Sequence, residues 1–284
     1  MRSVVVTGAS TGIGHATTKL LLQRGFRVFG SVRKEADAER LSHEFGAAFT
    51  PLIFDVTDEA AISAAADQVR SALDGERLAG LVNNAGIAVG GPVLELSASE
   101  FRRQFEVNVI GPILATQAFA PLLGSDPTLS GAKGRIVMMS SVAGRFGNPL
   151  MAAYSASKHA LEGLSDGLRR ELMLFGIDVI ILAPGAVKTP IWAKAEHDDM
   201  ARYANSLYRP AMETMRALLP QMDASGLPPE TIAEAVLEAL TADKPKVRRT
   251  LTPSPLYHLV MRVLPTRLID KLIAKRMKLQ PPSP

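Results

Sequence analysis

The sequence predicts a single α/β domain, a doubly wound parallel sheet with helices on both faces, and three observations carry that prediction. Strand-like and helix-like stretches alternate along the chain. The runs Ile136-Val137-Met138-Met139 and Val179-Ile180-Ile181-Leu182 lack polar alternation, as strands buried on both faces should. Hydrophobic residues form 47% of the 284 positions and aromatic ones only 5%, which suits an aliphatic sheet covered by helices. The length exceeds the commonest single-domain size, yet doubly wound domains reach it as one unit.

The elements follow in order. Residues 2–7 read as a strand, 12–24 as a helix and 26–32 as a second strand. A helix over 35–45, a strand over 48–54, a helix over 58–73 and a strand over 78–83 come next. A long helix starts after Ser97, because Ser97-Ala98-Ser99-Glu100 has the form of a capping box. A strand over 134–140, a long helix over 150–175 stopped by Gly176 and a strand over 177–183 complete the alternation. Residues 1–250 are expected to form one nucleotide-binding and catalytic domain, with 186–226 as a lid and 251–284 as a basic amphipathic extension.

The net charge of +4 is unevenly spread. Residues 244–278 hold ten Lys or Arg and the lone acid Asp270, a net +9, so the remainder carries −5. No reading helix or stacking sheet accompanies the basic run, which argues against nucleic acid as a partner. With no cysteine, disulfides and thiolate metal sites are excluded. His15, His43, His159, His197 and His258 lack metal-ligand spacing, so no metal is expected. The chain runs from Met1-Arg2 straight into Val4-Val5-Val6, which leaves no room for a signal peptide. No apolar run reads as long enough to span a bilayer, and a cytoplasmic location is expected.

Chemistry begins at the first turn, Thr7-Gly8-Ala9-Ser10-Thr11-Gly12-Ile13-Gly14. Gly8 permits the tight turn, Gly12 lets the backbone approach a pyrophosphate, and Gly14 allows close helix–strand packing. The helix N-terminus then offers free N–H groups to the anion. A strand–glycine loop–helix unit of this kind predicts a Rossmann-type dinucleotide site. Further along, Tyr154 and Lys158 lie four apart on a helix and share a face. An ammonium about 4 Å from a phenol contributes up to roughly 4 kcal/mol at an effective dielectric near 20. That is on the order of 3 pKa units, enough to bring a phenol toward neutrality. Lys158 would then tune Tyr154 as the acid/base.

The loop spacing, Asn83-Asn84-Ala85-Gly86, Asn108 within Val107-Asn108-Val109-Ile110-Gly111, Ser140-Ser141-Val142-Ala143-Gly144, Tyr154-Ser155-Ala156-Ser157-Lys158 and Pro184-Gly185 occur in this order. Together they resemble the short-chain dehydrogenase/reductase family over residues 1–250. The resemblance implies a catalytic set of Asn108, Ser141, Tyr154 and Lys158. In it Ser141 holds the substrate oxygen, Lys158 also binds the nicotinamide ribose, and Asn108 holds a helix-bulge water in a proton relay. It implies that Gly8, Ser10, Thr11, Gly12, Ile13, Gly14, Ala85, Gly86, Pro184, Gly185 and Val187 meet the cofactor. Asp55 and Val56 fall near the adenine, Asn83 along the cofactor and Thr189 near the carboxamide. Stretches such as Leu164-Ser165-Asp166-Gly167-Leu168 and Leu264-Pro265-Thr266-Arg267-Leu268 look like the retinol and 17-beta-hydroxysteroid dehydrogenase branch.

Where an NAD-specific protein carries an acid at the end of the second strand, this chain has Ser31-Val32-Arg33-Lys34. Arg33 can grip a 2′-phosphate with a charge-assisted fork, so NADP is expected over NAD. Ile191, Trp192, Met200, Tyr203, Leu207, Tyr208, Met212 and Met215 give the lid an apolar, adaptable character. The expected substrate is a lipophilic alcohol, ketone or aldehyde, handled by a homodimer or homotetramer. Leu256, Leu259, Val260, Val263 and Leu264, then Leu268, Ile269, Leu272 and Ile273, repeat at helical spacing beside Arg262, Arg267, Lys271, Lys275, Arg276 and Lys278. Such a helix fits an anionic membrane surface, and equally a place on the pocket mouth or on a second subunit. The rival readings are a catalytically silent NADP-binding regulator and a membrane-surface interaction protein.

Overall fold

Short aliphatic runs, each followed by a glycine or polar turn and an amphipathic segment, build one sheet. The computed structural model describes residues 1–189, 200–254, 256, 260 and 263–281. Among them the strands are β1 (Ser3–Val6), β2 (Arg27–Val32), β3 (Phe49–Ile53), β4 (Gly80–Asn83), β5 (Arg135–Met139), β6 (Asp178–Pro184) and β7 (Arg248–Leu251). All pairs are parallel, in the order β3-β2-β1-β4-β5-β6-β7. The order reverses between β1 and β4, which opens a crevice at their carboxyl ends.

The helices are α1 (Gly12–Gln23), α2 (Glu35–Phe45), α3 (Glu59–Leu73), α4 (Ala98–Phe105), α5 (Gly111–Ala120), α6 (Ala152–Glu171), α7 (Arg209–Ala224), α8 (Pro229–Thr241) and α9 (Thr266–Arg276). Strand side chains alternate between two cores. Val5, Phe29, Leu81, Ile136 and Val179 meet α3, α5 and α6 through Val69, Phe119 and Leu161. Val4, Val6, Val28, Val82, Val137 and Ile180 meet α1, α2 and α8 through Leu21, Leu41 and Val236. The period-two alternation of a strand thus feeds both helix layers, which is why no strand needed a polar face. The expected capping box is present: Glu100 N–H donates to Ser97 Oγ at 3.2 Å, and Ser97 N–H donates to Glu100 Oε2 at 2.8 Å.

Several expectations need correction. The sequence showed no seventh strand and no helix over Pro229–Thr241, and it placed Arg248 and Arg249 in the basic tail. Both arginines lie in β7, where Arg248 pairs with Glu162 at 2.7 Å and Arg249 pairs with Glu238. A short edge strand with two charged residues carries no apolar alternation to betray it. The boundary at 250/251 therefore falls inside a strand. Nor is the chain without a long apolar helix. Ala98–Ser125, helical up to a kink at Gly124, is by length and composition long and apolar enough to cross a bilayer. Half of its apolar stretch is buried, with Ala115, Phe119, Leu122 and Leu123 in the core under the sheet.

A third apolar cluster lies apart from the sheet. Leu150, Tyr203, Ala211, Met212 and Met277 form it, with Met200, Met215, Leu218, Ile273 and Leu279 packed around them. Residues between Met200 and Leu218 thus share a core with the C-terminal helix, so α9 sits on that segment. Leu207, counted with the lid's apolar set, instead faces solvent at 92% exposure. Ile191, Trp192, His197, His258, Leu259 and Arg262 lie outside the described residues.

Candidate active site

The turn after β1 is shaped by positions where only glycine fits. Gly8 has φ 69° and Gly12 φ 58°, both left-handed. A Cβ on Gly14 would stand 2.1 Å from Gly8 O and 2.6 Å from Asn84 Nδ2, so this residue fixes how closely α1 approaches the strand ends. Thr7 and Asn84 lock the two strand ends together. Asn84 and Ala85 donate their backbone N–H groups to Thr7 Oγ1 at 3.0 Å, and Asn84 Nδ2 donates to Thr7 O at 2.9 Å. Gly8 N–H donates to Ser31 Oγ at 3.0 Å, which ties the loop to β2. Thr11 makes no side-chain cap and the first turn of α1 holds no acid, so the positive helix end faces the crevice uncancelled.

A cleft of about 740 Å³ runs from this loop across the sheet to α6. Gly8, Ser10, Thr11, Gly12, Ile13, Arg33, Asp55, Val56, Ala85, Gly86, Ser141, Tyr154, Lys158, Pro184, Gly185, Val187 and Thr189 line it. Three expected residues do not. Gly14 lies behind the loop. Asn83 is buried, with Nδ2 donating to Thr116 Oγ1 at 3.1 Å, and its neighbour Asn84 lines the cleft in its place. Asn108 sits beneath the wall within a π-turn over Glu106–Ile110. Its Oδ1 accepts from Ile87 N–H at 2.9 Å, and its Nδ2 donates to Ile87 O at 3.0 Å and to Ser157 Oγ at 3.2 Å. The amide therefore fastens the 84–87 loop to α6.

At the cleft floor the carboxyl end of β5 meets the first turns of α6. Lys158 is buried and its Nζ donates to Met139 O at 2.8 Å, which holds the ammonium 5.8 Å from the centre of the Tyr154 ring. Ser141 Oγ accepts from Ala143 N–H at 3.1 Å and faces Pro184 O at 3.3 Å. Burial raises the Tyr154 phenol above its ordinary value, while its contact with the Ser141 hydroxyl pulls the other way. Burial thus outweighs any lowering by Lys158 in this arrangement, where the ammonium donates to Met139 O. Burial lowers Lys158 to about 8, and the Glu162 carboxylate opposes that shift.

Glu162 was not anticipated. It is buried one turn beyond Lys158 and accepts from Ser140 Oγ at 2.7 Å and from Arg248 Nε at 2.7 Å; Arg145 lies 3.4 Å away. The four-residue spacing of Tyr154, Lys158 and Glu162 was the available signal, but a helical glutamate reads as surface until β7 is known. On the cofactor side, Val32 is buried and Arg33 stands at the rim, 63% exposed and 3.8 Å from the Asp55 carboxylate. The glycine cradle and the open helix end fit a dinucleotide. Arg202 donates to both Glu100 oxygens, at 2.6 and 3.0 Å, and Ser206 donates to Glu95 at 2.6 Å.

Comparison with known proteins agrees with this geometry. A family model described as short chain dehydrogenase matches residues 2–200. An NADPH-dependent 3-dehydrocapnine reductase from Ornithobacterium rhinotracheale is 38% identical over 279 residues, covering 98% of each chain. Human retinol dehydrogenase 5 is 31% identical over 285 residues, covering 95% of this chain and 87% of that one. Among solved structures, a short chain dehydrogenase/reductase from Burkholderia phymatum in complex with NAD superposes with a TM-score of 0.78 at 26% identity. That match covers 100% of this chain and 97% of the other.

Proposed function

The chain belongs to the short-chain dehydrogenase family, and within it we propose an NADP(H)-dependent oxidoreductase that interconverts a lipophilic alcohol and its ketone or aldehyde. The observation that carries the reading is the meeting of Ser141, Tyr154 and Lys158 on the floor of a cleft whose other end is the glycine loop. The 38% identical relative, named for NADPH dependence and for a reductase activity, supports the cofactor and the direction.

Gly8, Gly12 and the first turn of α1 would hold the pyrophosphate, and Arg33 would hold the 2′-phosphate. Bound NADPH would supply a hydride to the carbonyl carbon. The rest falls to the chain's own side chains. Ser141 Oγ presents its hydroxyl to the carbonyl oxygen and fixes its place. The Tyr154 phenol, kept protonated by burial, gives its proton to that oxygen as negative charge develops there. Lys158, anchored on Met139 O, places a cation beside the phenol and stabilises the phenolate left behind. Asn108 and Ser157 hold α6 against the 84–87 loop, so these groups keep their spacing. Val187 and Met151 make the substrate end of the cleft apolar. The enzyme works in the cytoplasm as a homodimer or homotetramer.

The test is kcat/KM for NADPH and NADH with ketones and aldehydes of rising apolar size. The expected result is a preference for NADPH and a rise in kcat/KM with substrate size. A preference for NADH overturns the cofactor assignment, and a flat size dependence overturns the lipophilic one. Tight NADPH binding without turnover on any substrate would favour the silent regulator.

A further inference from the structure

We propose that the outer face of the C-terminal segment, α9 and the helical residues just before it, is a docking surface for an anionic lipid bilayer. The helix is apolar over a wider arc than it buries. Ile269 and Met277 are buried, and Met277 and the partly buried Ile273 pack against the cluster of Leu150, Tyr203 and Met212. Beside that face Leu268 and Leu272, one turn apart, are 44% and 52% exposed. Before α9, Leu256, Val260 and Val263 are helical and also exposed. A helix docked on a soluble protein normally turns charged and polar residues outward, so this second apolar stripe lacks its partner.

Charge identifies the occupant. Arg267, Lys271, Lys275, Arg276 and Lys278 flank the stripe, and none forms an ion pair among the described residues. Several arginines elsewhere are matched, as Arg248 with Glu162, Arg202 with Glu100 and Arg70 with Asp126. Asp270 is the single acid among these positions; residues 254–284 carry a net +5, six Lys or Arg against Asp270, while residues 1–253, with Arg248 and Arg249 in β7, carry −1. Such a molecule turns its tail toward an anionic plane and its body away from it. Leucines between cations then enter the boundary between head groups and acyl chains. A second copy of the chain fits less well, because a two-fold contact through this face would set the same unpaired cations against one another. The helix packs on the lid, and Leu150 at their shared core precedes Met151 of the cleft wall. A bilayer under α9 would therefore lie beside the cleft's substrate end, the natural source of a lipophilic substrate. That consequence rests on the proposed function, whereas the docking itself does not.

Co-sedimentation of the full chain, without cofactor or substrate, with phosphatidylcholine vesicles and with vesicles about one-third phosphatidylglycerol tests the surface. Association is expected to be at least about tenfold stronger on the anionic vesicles and to fall as salt is raised. The double changes Leu268→Ser with Leu272→Ser, and Lys271→Glu with Lys275→Glu, should each remove most of it while turnover of a soluble ketone stays unchanged. Equal association with both vesicle types, or variants that sediment like the wild type, would overturn the proposal. So would a leucine variant that turns a dimer into a monomer on size exclusion while wild-type protein ignores vesicles, since the face then meets a second copy. Loss of turnover in wild-type protein with vesicle binding intact would instead count against the proposed reaction.

Discussion

The floor of the cleft and the cap beside it are built by opposite means. On the floor, positions are fixed by backbone geometry and by hydrogen bonds to backbone groups. Gly14 has no room for a methyl, Lys158 hangs from Met139 O, and Asn108 grips both polar backbone atoms of Ile87. In the cap, methionines and a tyrosine gather into a small cluster, while Arg202 and Ser206 tie it to the carboxylates of Glu100 and Glu95. Chemistry that needs groups held within a fraction of an ångström belongs on the first kind of scaffold. Binding of an adaptable apolar molecule belongs on the second. Changes on the floor should therefore alter kcat strongly, and changes in the cap should alter KM mildly.

Tyr154→Phe is the severest test of the floor. It removes one oxygen and leaves the ring against the Lys158 side chain, so dinucleotide affinity should hold while kcat falls by about 10³. Fluorescence titration with NADPH beside single-turnover kinetics separates the two. A variant that keeps a tenth of the activity would sink the assignment of the proton donor.

Glu162→Ala should be the largest change in stability. Its carboxylate is buried with Arg248, Ser140 and Arg145 around it, and removing one partner of such a group costs about 3–5 kcal/mol. Urea unfolding measures that loss, and an effect under about 1 kcal/mol, the range of exposed pairs, would show that the network is solvent-screened. Glu162→Gln keeps the shape and tests the electrostatics. The carboxylate favours the charged form of Lys158, whose pKa lies at about 8. Without it the ammonium loses its proton earlier, so the alkaline limb of kcat should move to lower pH. An unmoved limb would mean that Glu162 acts on the fold alone.

Next in size comes the cleft's rim. Arg33→Ala removes an exposed cation whose ion-pair partner among the described residues is Asp55, 3.8 Å away, so folding should be little affected. A charge-assisted contact to a phosphate is worth about 1.5–3 kcal/mol, or roughly ten- to a hundredfold in kcat/KM for NADPH. The NADH value should not change. Parallel losses with both cofactors would remove Arg33 from phosphate recognition.

The same contrast explains what the sequence made legible. Floor residues stand in short motifs because each meets a backbone constraint that few side chains satisfy. The strand pattern placed those motifs at the correct edge. Asn83 at the end of β4 is buried against Thr116 while Asn84, just beyond the strand, lines the cleft, a division that becomes visible only once β4 is paired with its neighbours. Glu162 and Arg248 escaped notice because their meaning depends on a contact across 86 positions. The cap was legible only as an apolar character. Methionine and leucine fill a cluster in many arrangements, so composition foretells an apolar cluster without saying which residues turn inward. Leu207 faces solvent while Tyr203, four positions earlier, is buried.

Arg202→Ala should produce the smallest effect, and it probes the cap directly. Arg202 forks onto Glu100, and Ser97 adds a hydrogen bond, so the carboxyl is lowered from 4.5 to about 2. Because the folded-state pKa lies below the unfolded one, the pair stabilises the protein above pH 4.5, and that contribution is lost as pH falls toward about 2. Partly exposed pairs contribute about 0.2–1 kcal/mol, so the variant's Tm at neutral pH should drop by only a few degrees. The gap between the two proteins should narrow as the medium is made acid. Lowering the stability of the lid's tether should raise KM for a large apolar substrate severalfold and leave kcat in place, since no reacting atom touches Arg202. A fall in kcat with KM unchanged would contradict the division drawn here, because it would place the cap within the chemistry.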